Sequence, residues 1–255
     1  MKFPGNIFYP LMPKKNSAGG DYFENYILNQ YFTTNSALDV ENYRKELLSN
    51  SNSIEILDCG TGSKTLKSAK RIISKIAKTS AIKSKHGVLF QKIVRKYNVK
   101  SVLELGTSLG VGTMYFALAD KSIKLTSIEA CPETYKFTKT KFAQKGIKNV
   151  EFINNDFDSV FDNNELAGQK FDLIYIDGNH NSKSVIKYYE YINKNLAAER
   201  CIYIIDDINW SADMYRAWKY LCNRNNGAFN TNMFRVGLIF KNYNELSKGD
   251  FYLKY

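Results

Sequence analysis

Cysteine is scarce in this 255-residue sequence, and Cys59, Cys131, Cys201 and Cys222 show no C-x-x-C spacing. That scatter argues against a zinc site or a disulfide framework and for reduced, structural thiols. No apolar run approaches the roughly 18 residues that span a bilayer. The stretch Met1-Lys2-Phe3-Pro4-Gly5-Asn6 has no signal-peptide core, so a cytoplasmic protein is expected. Acids are outnumbered, 25 Asp and Glu against 36 Lys and Arg, for a formal charge of +11. Such a balance suits RNA, an anionic membrane or an acidic ligand. The excess is mostly Lys amid abundant Asn, Ile and Tyr, however, which compositional drift alone produces, so a nucleic-acid partner is the weaker reading. The G-x-G-x-x-G spacing of dinucleotide binders is absent from the main glycine-rich turn, which argues against a nicotinamide or flavin cofactor.

What is present is Val102-Leu103-Glu104-Leu105-Gly106-Thr107-Ser108-Leu109-Gly110-Val111-Gly112, a buried strand leading into a glycine turn and then an apolar helix. An α/β sheet presents backbone N–H groups to a ligand in this way, beyond the carboxyl ends of its strands. The acid ahead of the turn, Glu104, suits a cationic amino group and would repel a pyrophosphate. A second strand, Leu125-Thr126-Ser127-Ile128, ends in Glu129, and a third, Val150-Glu151-Phe152-Ile153, ends near Asp156. Three acids in register after successive strands make three unrelated loop residues an uneconomical explanation.

In this series, LELGTSLGVGT, SIEACPE and NNDF, the chain resembles the class I S-adenosylmethionine-dependent methyltransferases. The resemblance implies a Rossmann-like α/β fold with a seven-stranded sheet, order 3-2-1-4-5-7-6, closed by an antiparallel hairpin. It also implies a cofactor cradle of Glu104, Gly106, Thr107, Ser108, Gly110, Glu129, Ala130, Asp156, Phe157 and Asp177. Glu104 and Gly106 would line the methionine end, Glu129 would bind the ribose hydroxyls, and Asp156 would lie near the adenine.

Elsewhere, residues 1–20 read as an irregular arm and 21–28 as a helix, and Leu38, Val40, Tyr43, Leu47 and Leu48 suggest a second helix. Residues 1–84 are expected to form a helical cap on the substrate side, and 85–255 the methyltransferase domain. Asp58-Cys59-Gly60-Thr61-Gly62 competes as a cofactor loop. It leads into what reads as a basic amphipathic helix, Lys64 to Lys78, with no acid-tipped strand, so the loop is expected to be a turn in the cap. Lys85-His86-Gly87 reads as a break before a helix with the stripe Val88, Leu89, Ile93, Val94 and Tyr97. Pro132 should start a helix that Gly146 ends, and Ser211 should cap another. The runs 234–240 and 251–255 read as the closing hairpin.

Two further clusters succeed strands four (171–176) and five (201–205): Asp177-Gly178-Asn179-His180 and Asp206-Asp207-Ile208-Asn209-Trp210. Converging carboxylates repel one another, and a hard divalent cation relieves that repulsion. The placement resembles catechol-type O-methyltransferases, which implies Mg²⁺ on Asp177, Asp206 and Asp207; Asp207 stands where that family has Asn. His180 falls where that family has a lysine base, and a neutral imidazole can take a hydroxyl proton near neutral pH. His180 and Asp177 are thus the expected catalytic pair, and Trp210, Tyr175 and N-terminal aromatics the expected walls of the acceptor pocket. The expected reaction is O-methylation of a hydroxylated small molecule. The rivals are an RNA or protein N-methyltransferase and a non-catalytic S-adenosylmethionine binder. Against the first, neither an Asn/Asp-Pro-Pro-Tyr/Phe tetrapeptide after strand four nor a Pro-Cys nucleophile is present.

Overall fold

A computed structural model describes residues 35–57 and 68–253. The expected helix at 21–28 and the 58–62 loop lie outside the described residues. Two compact units are seen, one built on Tyr31–Glu165 and the other on Leu166–Tyr255. Among the described residues no helix is long and apolar enough to cross a membrane.

In the first unit, α1 (Asn35–Leu48) buries Val40, Tyr43 and Leu47, whereas Leu38 and Leu48 of the same expected stripe are exposed. Strands β1 (Ser53–Leu57) and β2 (Ser68–Ile72) pair antiparallel, Ser53 opposite Ile72. The basic stretch expected to be helical is therefore a strand to Ile72 and a helix, α2 (Ile73–Ser80), only afterwards. Pairing with β1 overrides the local helical spacing and leaves Lys70 and Arg71 exposed. Helix α3 (Ser84–Lys96) runs through Gly87, against the expected break. A Cβ there would sit 2.1 Å from Cε2 of Tyr115, so the missing side chain is what lets that ring lie against the helix.

Strands β3 (Ser101–Leu105), β4 (Lys124–Ile128) and β5 (Val150–Ile153) run parallel, with Leu105 beside Ile128 and Ile128 beside Ile153. Their tips are thus level. Around them lie α4 (Val111–Ala117), α5 (Pro132–Gln144) and α6 (Phe157–Asp162). Pro132 opens α5 as expected, and Gly146 takes φ 68° just past its end, where the N–H groups of Gly146 and Ile147 close on Ala143 and Phe142. The core is aliphatic and aromatic, with the Phe90 and Phe116 rings stacked at 5.1 Å.

The second unit orders its strands β6-β7-β9-β8-β10, where β6 is Phe171–Ile176, β7 Ala197–Ile205, β8 Phe229–Met233, β9 Val236–Lys241 and β10 Gly249–Tyr252. Helix α7 (Ser182–Asn195) links the parallel pair β6 and β7, and Ser211 caps α8 (Ala212–Arg224) through the Met214 N–H. The expected 3-2-1 order appears as β5-β4-β3 and the expected 4-5-7-6 as β6-β7-β9-β8. The hairpin assignment needs correction. Its strands are β8 and β9, joined at Phe234-Arg235, and the run at 251 belongs to an additional strand, β10, parallel to β8. Asn230, Thr231 and Asn232 fill β8 with buried polar side chains, which hid the strand from hydropathy reading.

Candidate active site

The glycine turn after β3 is held in a conformation few residues adopt: Gly106, Ser108 and Gly110 have φ of 103°, 48° and 76°. A Cβ at Gly110 would meet Thr138 Cγ2 at 2.6 Å. The Gly106 N–H bonds Ile128 O, the Gly110 N–H bonds Thr107 O, and the hydroxyls of Tyr43 and Thr138 donate to the carbonyls of Leu109 and Ser108 at 2.7 and 2.8 Å. The turn is therefore braced from both sides by its own unit.

Glu104 is buried, and its Oε2 accepts from Thr113 Oγ1 and Ser127 Oγ, both at 2.6 Å. Burial pushes its pKa up to about 8; the two hydroxyls pull against that rise, and Glu129 adds to it. Thr107 joins the same network through Ser127 at 2.6 Å. Glu129 accepts from the Ser108 N–H at 2.8 Å and the Cys131 N–H at 2.9 Å, and burial raises its pKa in spite of them. Glu104, Thr107, Ser108 and Glu129 are thus brought together. Asp156 is committed locally. It caps α6 by accepting from the Ser159 N–H and Oγ, and Phe157 is buried behind it. Asn154 ties down the carbonyls of Glu129 and Ala130.

In the second unit the acids beyond β6 and β7 do converge. Tyr175 Oη lies 3.0 Å from Asp177 Oδ2 and 3.1 Å from Asp206 Oδ2. The single hydroxyl thus ties the two carboxyl groups together. Burial, Asp206 and Asp207 raise the pKa of Asp177 well above the usual carboxylate range, against the opposing pull of Arg235 and the Tyr175 hydroxyl. Asp207 is raised by burial and by Asp206, and it takes φ 53°, as Asn179 takes 51° in the other loop. Backbone strain of this kind persists where the surroundings over-determine it. His180 is 39% exposed at its side chain, with Nε2 3.9 Å from Asp177 Oδ1. Tyr175, expected to wall the acceptor pocket, is instead buried against the acids. Trp210 and Phe234 are the exposed aromatics here, linked by Asn209, whose Nδ2 donates to the Phe234 carbonyl at 2.6 Å.

Arg235 was not anticipated. Its Nε donates to Asp206 Oδ1 and its Nη2 to Asp206 Oδ2, each at 2.9 Å, and its Nε lies 3.4 Å from Asp207 Oδ1. Burial opposes its charge, but Asp206, Asp207 and Asp177 outweigh burial and raise its pKa. The Mg²⁺ expected on Asp177, Asp206 and Asp207 does not fit this donor set. Asp206 Oδ1 already accepts from Arg235 and the Asp207 N–H, and Oδ2 from Arg235 and Tyr175, which uses all of the roughly four lone-pair sites of a carboxylate. Among the described residues no three His, Cys, Asp or Glu side chains are grouped to hold a metal ion. Only the order of residues around Arg235 was available from the sequence, and its hairpin turn lacks the Asn-Gly or Asp-Gly that would have announced it.

Residues 103–208 match the family model described as a methyltransferase domain. No curated protein matches the chain. The S-adenosylhomocysteine-bound methyltransferase PaMTH1 of Podospora anserina is similar in structure, with TM-score 0.60, 13% identity, 91% of this chain and 98% of that one covered. So is the O-methyltransferase TomG of Streptomyces achromogenes, involved in tomaymycin synthesis and solved with S-adenosylmethionine: TM-score 0.57, 14% identity, 93% and 100% covered. An O-methyltransferase of Bacillus cereus in complex with S-adenosylhomocysteine gives TM-score 0.53 at 16% identity, covering 86% and 94%. The fold is the Rossmann-like methyltransferase fold, and within it residues 103–208 match a methyltransferase domain.

Proposed function

We propose that this S-adenosylmethionine-dependent methyltransferase methylates a hydroxyl oxygen of a small molecule, with the donor held at the Gly106–Gly110 turn and the proton taken at His180. When bound, the donor supplies a methyl group already activated by its sulfonium charge. The residues of the turn suit that cation: Glu104 and Glu129 lie close together, and among the described residues their carboxylates accept from neutral hydrogen-bond donors only. Glu129 would offer its carboxylate to the ribose hydroxyls, and Ala130, Asp156 and Phe157 would border the adenine. At the acceptor side, Trp210 and Phe234 provide exposed aromatic surface beside the acids.

The task left to the protein is to orient the acceptor oxygen and accept its proton. His180 Nε2 takes that proton, and Asp177 Oδ1, 3.9 Å away, stabilises the imidazolium that results. The His180–Asp177 pairing beside Asp206 and Asp207 is the observation that carries this reading. The test is a panel of phenols and alcohols incubated with labelled S-adenosylmethionine. His180→Ala should lower kcat by roughly 10²–10⁴ while S-adenosylhomocysteine affinity is unchanged. Full turnover in both His180→Ala and Asp177→Asn would overturn the assignment.

A further inference from the structure

We propose that Arg235 is a positioning residue that permanently fills the cation place of the acid cluster, so that this enzyme works without a divalent metal. Asp206 is 1% exposed, and a carboxylate so deeply buried must be paired. A planar guanidinium meets it through two parallel N–H···O bonds of 2.9 Å, while the remaining lone pairs accept from Tyr175 and the Asp207 N–H. A guanidinium has five donors and no acceptor, so it cannot join a metal's coordination shell and repels a cation nearby. Mg²⁺ demands near-octahedral oxygen ligands at about 2.0–2.1 Å, which Asp206 can give only if Arg235 leaves.

The local backbone argues that Arg235 does not leave. The turn between β8 and β9 places Phe234 at φ 71°, a conformation in which a bulky side chain is strained. Four bonds hold it there: Asn232 Oδ1 accepts from the Phe234 N–H at 2.9 Å, Asn209 Nδ2 donates to the Phe234 carbonyl at 2.6 Å, the Ile208 N–H donates to Arg235 O at 3.0 Å, and the Arg235 N–H donates to Met233 O at 3.0 Å. The strain and its restraints share one result, which is to deliver the guanidinium to Asp206.

The effect on turnover rests on the methyltransferase reading above, but metal binding can be measured without it. Mn²⁺ alone is titrated into the full chain by calorimetry and by electron paramagnetic resonance. The wild type should bind none at the cluster, and any turnover should be the same with and without chelator. Arg235→Ala should gain a Mn²⁺ site that Asp206→Asn in the same chain abolishes, and its turnover, at least ten-fold down in chelator, should recover several-fold with Mn²⁺. Arg235→Lys, which keeps the charge but not the fork, should gain no metal and retain part of the activity. Two results would overturn the proposal: stoichiometric Mn²⁺ binding by the wild type that Asp206→Asn removes, or a folded Arg235→Ala chain with no metal site and wild-type turnover. If Arg235→Ala does not fold, the wild-type titration decides alone.

Discussion

The two acid-rich regions of this molecule balance their charge by opposite means. At the ends of β3 and β4, Glu104 and Glu129 are matched among the described residues only by neutral groups, the Thr113 and Ser127 hydroxyls and the Ser108 and Cys131 N–H groups. After β6 and β7, Asp206 is matched by a full positive charge from Arg235. A carboxylate left with dipoles alone in a buried setting rises in pKa and is ready for an incoming cation, whereas one bound to a guanidinium is already served. The contrast teaches that the second region already holds the positive charge that the first would accept.

The largest test breaks the second region. Arg235→Ala leaves Asp206 buried and unpaired, and should cost roughly 3–5 kcal/mol, a drop of about 10 °C or more in Tm by thermal unfolding. Replacing both partners by Met and Leu should recover most of it; an unchanged Tm in the single variant would mean that the pair is not what holds the hairpin.

Next comes the first region, tested through pH. The folded-state pKa of Glu104, about 8, exceeds the ordinary 4.5, so the folded protein binds the extra proton and stability is lost as pH rises from about 5 to 8. Glu104→Gln should remove that loss and make the ligand-free protein more stable at pH 9 than wild type by on the order of 3 kcal/mol, with little difference at pH 5. Denaturant melts of the two proteins across that range are the measurement, and parallel curves would show that Glu104 stays ionised.

A smaller effect separates strain from crowding at the glycine turn. Gly110→Ala combines φ 76° with a 2.6 Å approach to Thr138 and should cost about 2–3 kcal/mol, whereas Gly146→Ala, at φ 68° with nothing within 4 Å, should cost only about 1 kcal/mol. Equal losses would show that the Thr138 contact is easily relieved. Least is expected of Tyr43→Phe, which removes one 2.7 Å bond to Leu109 O and should cost about 1 kcal/mol together with a few-fold weaker S-adenosylhomocysteine affinity by calorimetry.

Much of the first region was legible because its signals are local: a strand with an acid near its end, then a glycine turn in which a side chain at Gly110 would clash. The acids of the second region were legible for the same reason, each coming directly after an apolar run. Their neutralisation was not, because Arg235 reaches Asp206 through a hairpin whose Phe234 breaks the usual turn chemistry and whose strand β8 is made of buried Asn and Thr. Ser68–Ile72 misled in another way, since only its pairing with β1 makes it a strand. Gly87 looked like an interruption, and the Tyr115 ring that needs the gap lies on a helix far along the chain.

The guanidinium that balances Asp206 arrives 29 residues later in the chain. At a synthesis rate of about 5–20 residues per second, a newborn polypeptide carries that acid without its counter-charge for roughly 1.5 to 6 seconds. During that interval β7 is better kept solvated than collapsed, so the hairpin holding Arg235 sets the moment at which the second unit can close its interior.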